Sequence, residues 1–101
     1  MNRIISENIE EIRCLCLKYK VKRMFVFGSV CSEDFNDQSD IDFLISFEHV
    51  PIEDYADNFF DLLFQLRTLL KREIDITSEK SLTNPYFIKE IEQKKQLIYA
   101  A

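Results

Sequence analysis

Val21-Lys22-Arg23-Met24-Phe25-Val26-Phe27-Gly28-Ser29 and, starting ten residues further on, Ser39-Asp40-Ile41-Asp42-Phe43-Leu44-Ile45-Ser46-Phe47 decide the fold between them. The first run is rich in β-branched and aromatic residues and stops at the only glycine of the chain, which predicts a strand over 21–27 ending in a tight turn. The second, read as a strand over 40–47, alternates polar and apolar at its start and then turns continuously apolar. That is the pattern of a central strand covered on both faces beyond an exposed beginning.

Reading outward, Ile5, Ile9, Ile12, Cys16 and Tyr19 recur at helical steps and predict a first helix capped by Ser6 or Asn8. Between Pro51 and Lys71, Tyr55, Phe59, Leu62, Leu63, Leu66 and Leu70 keep helical spacing, so a long helix follows the second strand. Arg72-Glu73-Ile74-Asp75-Ile76-Thr77 alternates again and reads as a third strand. Asn84-Pro85 is a cap and first-turn pair for a last helix to Ile91 or Glu92, and Gln96-Leu97-Ile98-Tyr99 closes the chain as a strand. The expected class is α/β (α+β), a small mixed sheet of four strands flanked by helices, with a short helix allowed after Gly28.

Composition sets the outer bounds. At 101 residues the chain reads as one domain over 1–101, and 47% hydrophobic with 31% charged residues is the balance of a folded globule. Eighteen acidic against thirteen basic residues leave a net charge of −5, which argues against extensive nucleic-acid binding. Three cysteines, Cys14, Cys16 and Cys31, fit neither a disulfide framework nor a metal-binding spacing and read as reduced thiols. No apolar run approaches a membrane span and the N-terminal residues turn acidic early, so the expected location is the cytoplasm.

The chemistry concentrates at three places. Asp40 and Asp42 are two apart on a strand, so both carboxylates leave the same face with Cα atoms roughly 6.5 Å apart. Asp75 reaches the same patch if the third strand neighbours the second. Carboxylates about 5 Å apart repel by roughly 3 kcal/mol at an effective dielectric of ~20, and a cation turns that cost into binding. Oxygen ligands without His or Cys select Mg²⁺ or Mn²⁺, whose usual work in such a site is phosphoryl or nucleotidyl transfer. At Gly28 the missing β-carbon lets the backbone approach a phosphate, and Ser29 adds a hydroxyl and an amide.

Each signal has an ordinary reading. An isolated Asp-x-Asp is more often a solvated strand edge, and a Gly-Ser after a strand is in most proteins only a turn. His49 defaults to a solvated loop residue, and Cys31 to a small packing residue beside the turn. Nine scattered cations, Lys20, Lys22, Arg23, Arg67, Lys71, Arg72, Lys89, Lys94 and Lys95, read mostly as surface charge, with one or two reaching phosphates. Large apolar groups around Tyr55, Phe59, Phe60 and Phe64 exceed what one buried stripe needs and point to a protein partner.

Taken jointly, Phe27-Gly28-Ser29, Ser39-Asp40-Ile41-Asp42-Phe43-Leu44 and Glu73-Ile74-Asp75-Ile76 resemble the signature of the minimal nucleotidyltransferases, the small branch of the DNA polymerase β-like superfamily. The resemblance covers nearly the whole chain. It implies that Gly28, Ser29 and Ser39 bind the nucleotide, that Asp40 and Asp42 bind the divalent ions (Mg²⁺ or Mn²⁺), and that Asp75 completes a catalytic and metal-binding triad. It further implies AMP transfer from ATP to a hydroxyl, a HEPN-domain partner whose tyrosine is the acceptor, and an antitoxin role. Where such proteins have a small residue, an arginine and a glycine after the turn, this chain has Cys31-Ser32-Glu33-Asp34. Two acids beside a triphosphate weaken its binding unless a metal or another basic group compensates. Two readings therefore stand: a metal-dependent nucleotidyltransferase, or a module with feeble or no catalysis that neutralises a partner by complex formation. A small acidic α/β protein with no metal site is a third.

Overall fold

Alternating and helical periodicities sort the chain into a sheet in the order β3-β2-β1-β4 with helices on both of its faces. The structure is a computed structural model describing all 101 residues. In chain order it contains α1 (Arg3–Glu7), α2 (Ile9–Lys18), β1 (Val21–Phe27), a 3₁₀ turn (Gly28–Cys31), β2 (Ile41–Phe47), α3 (Ile52–Leu70), β3 (Ile74–Ser78), a second 3₁₀ turn (Glu79–Ser81), α4 (Pro85–Lys94) and β4 (Gln96–Ala100). β1 runs antiparallel to β2 and to β4, whereas β2 and β3 are parallel. Parallel neighbours need a long crossover. The 19-residue α3 supplies it.

Strand alternation divides the side chains between two covers. Ile41, Phe43 and Ile45 of β2, Met24 and Val26 of β1 and Ile74 of β3 join Ile5, Ile12, Cys16, Leu62, Leu66 and Leu70 in the main core under α1, α2 and α3. On the other face Phe27 and Leu44 pack with Ile91 of α4, flanked by Phe25 and Leu82. Leu44 is thus covered from the α4 side, which explains why β2 is continuously apolar through its middle. Full burial of a side chain such as Phe43 contributes about 2–3 kcal/mol. Buried Cys16 shares that core, and desolvation pushes its thiol up to about 12.

Several boundaries differ from the sequence expectation. The first helix begins at Arg3 and is split at Asn8, whose φ of −114° interrupts the helical run. Asn2, not Ser6 or Asn8, provides the side-chain cap, its Oδ1 accepting from the Ile4 amide at 2.8 Å, while the Asn8 amide side chain donates to the Ile4 carbonyl. β2 starts at Ile41 and leaves Asp40 just ahead of it. β3 is shifted to 74–78, and α4 runs on to Lys94. Asn84 does cap α4, with Oδ1 accepting from the Tyr86 and Phe87 amides, and Pro85 opens its first turn. No helix is long and apolar enough to cross a membrane.

Candidate active site

The C-terminal end of β1 and the start of β2 lie side by side, because Phe27 pairs with Asp42. On the other side of β2 the parallel register places Asp75 directly opposite Asp42. Ile41 and Ile74 point into the main core, so by alternation Asp42 and Asp75 emerge together on the α4 face. There they line a cavity of about 750 Å³ with Gly28, Ser29, Ser32 and Asp34. That volume is in the range of small-ligand sites.

Gly28 is needed where it stands. Its φ is +77°, a left-handed conformation that side chains disfavour, and a β-carbon on it would lie 2.6 Å from Asp42 Oδ2. The chain then turns through one 3₁₀ segment, closed by the Ser32 amide and hydroxyl donating to the Ser29 carbonyl at 3.0 and 3.1 Å. The Ser29 hydroxyl donates to the Asp40 carbonyl at 3.4 Å, tying the turn to the entry of β2. Cys31 packs beside the core and its thiol donates to the Val26 carbonyl, while burial raises its pKa.

The carboxylates influence one another. Asp42 holds its proton more tightly than an ordinary carboxyl, first because it is partly buried, then because of Asp75 and Asp40. Asp75 and Asp40 are exposed. Asp40 does not line the cavity, and no three acidic, histidine or cysteine side chains gather closely enough to hold a cation by themselves. Two carboxylates completed by other oxygen donors suit Mg²⁺, which is commonly held by one or two carboxylates plus substrate phosphates and water. The oxygen-only donor set of Asp42 and Asp75, which share unfavourable negative charge, therefore fits such an ion.

Ser39 stands away from this wall. Its hydroxyl accepts from the Asn36 amide at 3.1 Å, closing the loop that leads into Asp40. Arg72 fastens the same loop by donating to the carbonyls of Asn36 and Ser39, with its guanidinium 4.5 Å from the centre of the Phe35 ring. His49 follows the far end of β2 and lines a different depression. The opposite wall of the cavity is one face of α4, Phe87, Glu90, Ile91 and Lys94, of which the sequence offered only Lys94, as one of nine cations able to reach phosphates. The spacing of three, one and three in this wall marks a helical face, but nothing local says which side of the sheet it covers.

Residues 10–101 match the family described as Polymerase beta, Nucleotidyltransferase. The chain belongs to that nucleotidyltransferase family. A relative from Methanocaldococcus jannaschii, named "Putative protein adenylyltransferase MJ0128", is 40% identical over 82 residues, covering 81% of this chain and 79% of its own length. Among solved structures, one described as a "putative minimal nucleotidyltransferase" superposes with a TM-score of 0.77 at 27% identity, over 95% of each chain. A tri-AMPylated Shewanella oneidensis HEPN toxin in complex with MNT antitoxin gives a TM-score of 0.66 at 15% identity, over 95% of this chain and 72% of that one. The fold of this nucleotidyltransferase is therefore that of the minimal members of the family.

Proposed function

We propose that this nucleotidyltransferase moves AMP from ATP to a hydroxyl, that the acceptor is a tyrosine of a HEPN-type partner protein, and that the transfer neutralises that partner as an antitoxin does. The observation that carries this reading is the in-register pair Asp42 and Asp75 facing the Gly28–Ser29 turn across one cavity. The adenylyltransferase name of the M. jannaschii relative and the AMPylated HEPN toxin of the S. oneidensis complex supply the choice of group and partner.

In this reading Gly28 and Ser29 receive the phosphates, the first by leaving room for close backbone approach and the second with its amide. Asp42 and Asp75, with Asp40 beside them, hold Mg²⁺ or Mn²⁺. When bound, the cation offsets phosphate charge and acidifies the attacking hydroxyl. The acceptor oxygen bonds to the α-phosphorus, the α–β phosphoanhydride bond breaks, and pyrophosphate leaves with the electron pair. One of the paired carboxylates takes the hydroxyl proton. Ser39 acts indirectly, by shaping the loop that delivers Asp40.

A second reading rests on the four carboxylates of the cavity wall, Asp34, Asp42, Asp75 and Glu90, which disfavour a polyanion. Under it the protein neutralises its partner by binding alone. Incubation with Mg²⁺, ATP labelled at the α-phosphate and the product of the adjacent gene separates the two. Label on the partner that disappears with Asp42→Ala supports transfer. A partner neutralised equally by both proteins, without label, supports occlusion.

A further inference from the structure

Lys94 is the only basic residue in the wall of the cavity, among the carboxylates of Asp34, Asp42, Asp75 and Glu90. Its position follows from β4: Gln96 pairs with Val26, so the end of α4 is delivered to the end of β1, where the Gly28 turn begins. Several cations outside the cavity wall are already engaged. Lys95 bonds Glu92 at 2.7 Å and lies 4.2 Å from the centre of the Phe25 ring, Arg23 bonds Glu79 and Arg67 approaches Glu73. Arg72 is spent on the carbonyls of Asn36 and Ser39. The Lys94 side chain takes part in no ion pair and no hydrogen bond, although Glu90 precedes it by one helical turn.

We propose that Lys94 is the side chain that binds the β- and γ-phosphates of the nucleotide, the one positive group the protein itself offers to a triphosphate in this cavity. The inference rests on the reading of the cavity as a nucleotide site and adds the residue that makes it tolerable to a polyanion. An ammonium on a flexible stem suits this task, since it acts as a point charge and needs no fixed bidentate geometry. A lysine in the last turn of a helix also complements the helix dipole. That role affects stability and not nucleotide affinity, so the two are separable.

The test is calorimetric titration of ATP, ADP and AMP, with Mg²⁺ present, into the wild type, Lys94→Gln, Lys94→Arg and the double variant Ser32→Arg with Lys94→Gln, alongside thermal melts. Lys94→Gln is expected to weaken ATP by about tenfold and AMP by less than about twofold, with Lys94→Arg within about threefold of the wild type. Because Ser32 lines the same cavity, arginine there should recover most of the lost ATP affinity. ATP affinity unchanged in Lys94→Gln, or AMP weakened as much as ATP, overturns the assignment while leaving the nucleotide site standing. A wild type that binds no ATP overturns both.

Discussion

The Asp42 carboxylate occupies the space that a side chain at Gly28 would need: a β-carbon there would come within 2.6 Å of Asp42 Oδ2. The only glycine of the chain therefore does two things, adopting a φ of +77° and leaving the carboxylate its place beside the turn. Gly28→Ala is expected to cost about 1–2 kcal/mol of stability through the left-handed backbone. The displaced carboxylate should lower AMP transfer further, by at least about tenfold, since misplacement by about 1 Å near reacting atoms has such effects. Melting curves and labelled-ATP transfer measure the two separately; a folded variant with unchanged transfer would show that Asp42 need not stand there.

Asp42 itself is unfavourable in the free protein. Its folded pKa is raised, chiefly by burial and then by Asp75 and Asp40, so folding favours the neutral carboxyl. Stability is then greatest below the unfolded value of about 3.9, falls as pH rises through the folded value, and stays reduced at neutrality. Asp42→Asn should raise the melting temperature at pH 7 without metal, by a few degrees at most, and give no gain below about pH 4. The same variant should lose transfer. Excess Mg²⁺ should stabilise the wild type more than the variant, because a ligand bound only by the folded state raises its apparent stability. Melts over a pH series with and without Mg²⁺ decide it.

How far the sequence could carry the fold depended on which signals are local. β1, β2 and α3 declare themselves because Val21–Phe27, Ile41–Phe47 and Leu62, Leu66 and Leu70 keep periods that only one element satisfies. The pairing of Asp42 with Asp75 was within reach because an intervening helix of that length makes adjacent parallel strands the natural outcome. The α4 wall was not, since Phe87, Glu90 and Lys94 meet the turn only through the β1–β4 register. Ser39 looked like part of the site from its place beside Asp40; it does not line the cavity, and its hydroxyl accepts a loop amide. The exposed aromatic groups of α3 met expectation in part: Phe60 and Phe64 are open to solvent, while Phe59 packs with Phe47 and Tyr55.

The sequence bracketed α3 between Pro51 and Lys71, as observed, but through its apolar spacing and not through a stop residue, and the reason is testable. With one glycine in the chain, left-handed positions fall to Lys20 at φ 60° and Lys71 at φ 56°, the latter closing α3. A lysine there gives no sequence signal of a stop. Lys71→Gly relieves the strain and should stabilise the protein by about 1 kcal/mol, whereas the same change inside α3 would cost a similar amount. Chemical denaturation with an unchanged slope measures it; a loss of stability at position 71 would mean that the lysine side chain contributes more than its backbone costs.

Arg72 offers the sharpest separation of positioning from chemistry. It lies outside the cavity wall, yet its Nη1 donates to the Asn36 carbonyl at 3.3 Å and the Ser39 carbonyl at 3.0 Å, and its guanidinium carbon sits 4.5 Å from the centre of the Phe35 ring. Those contacts fix the loop that brings Asp40 to the start of β2. Arg72→Ala should cost about 1–2 kcal/mol and increase amide exchange over residues 35–40. Arg72→Lys should not rescue it, because a lysine reaches one carbonyl as a point charge and cannot also stack flat on the ring. Transfer should fall in both variants with ATP affinity reduced only about twofold to threefold, since the phosphates are assigned to Gly28, Ser29 and Lys94. If exchange in the loop rises while transfer is unaffected, the Asp40 carboxylate is not needed for the reaction, and Asp42 with Asp75 suffices.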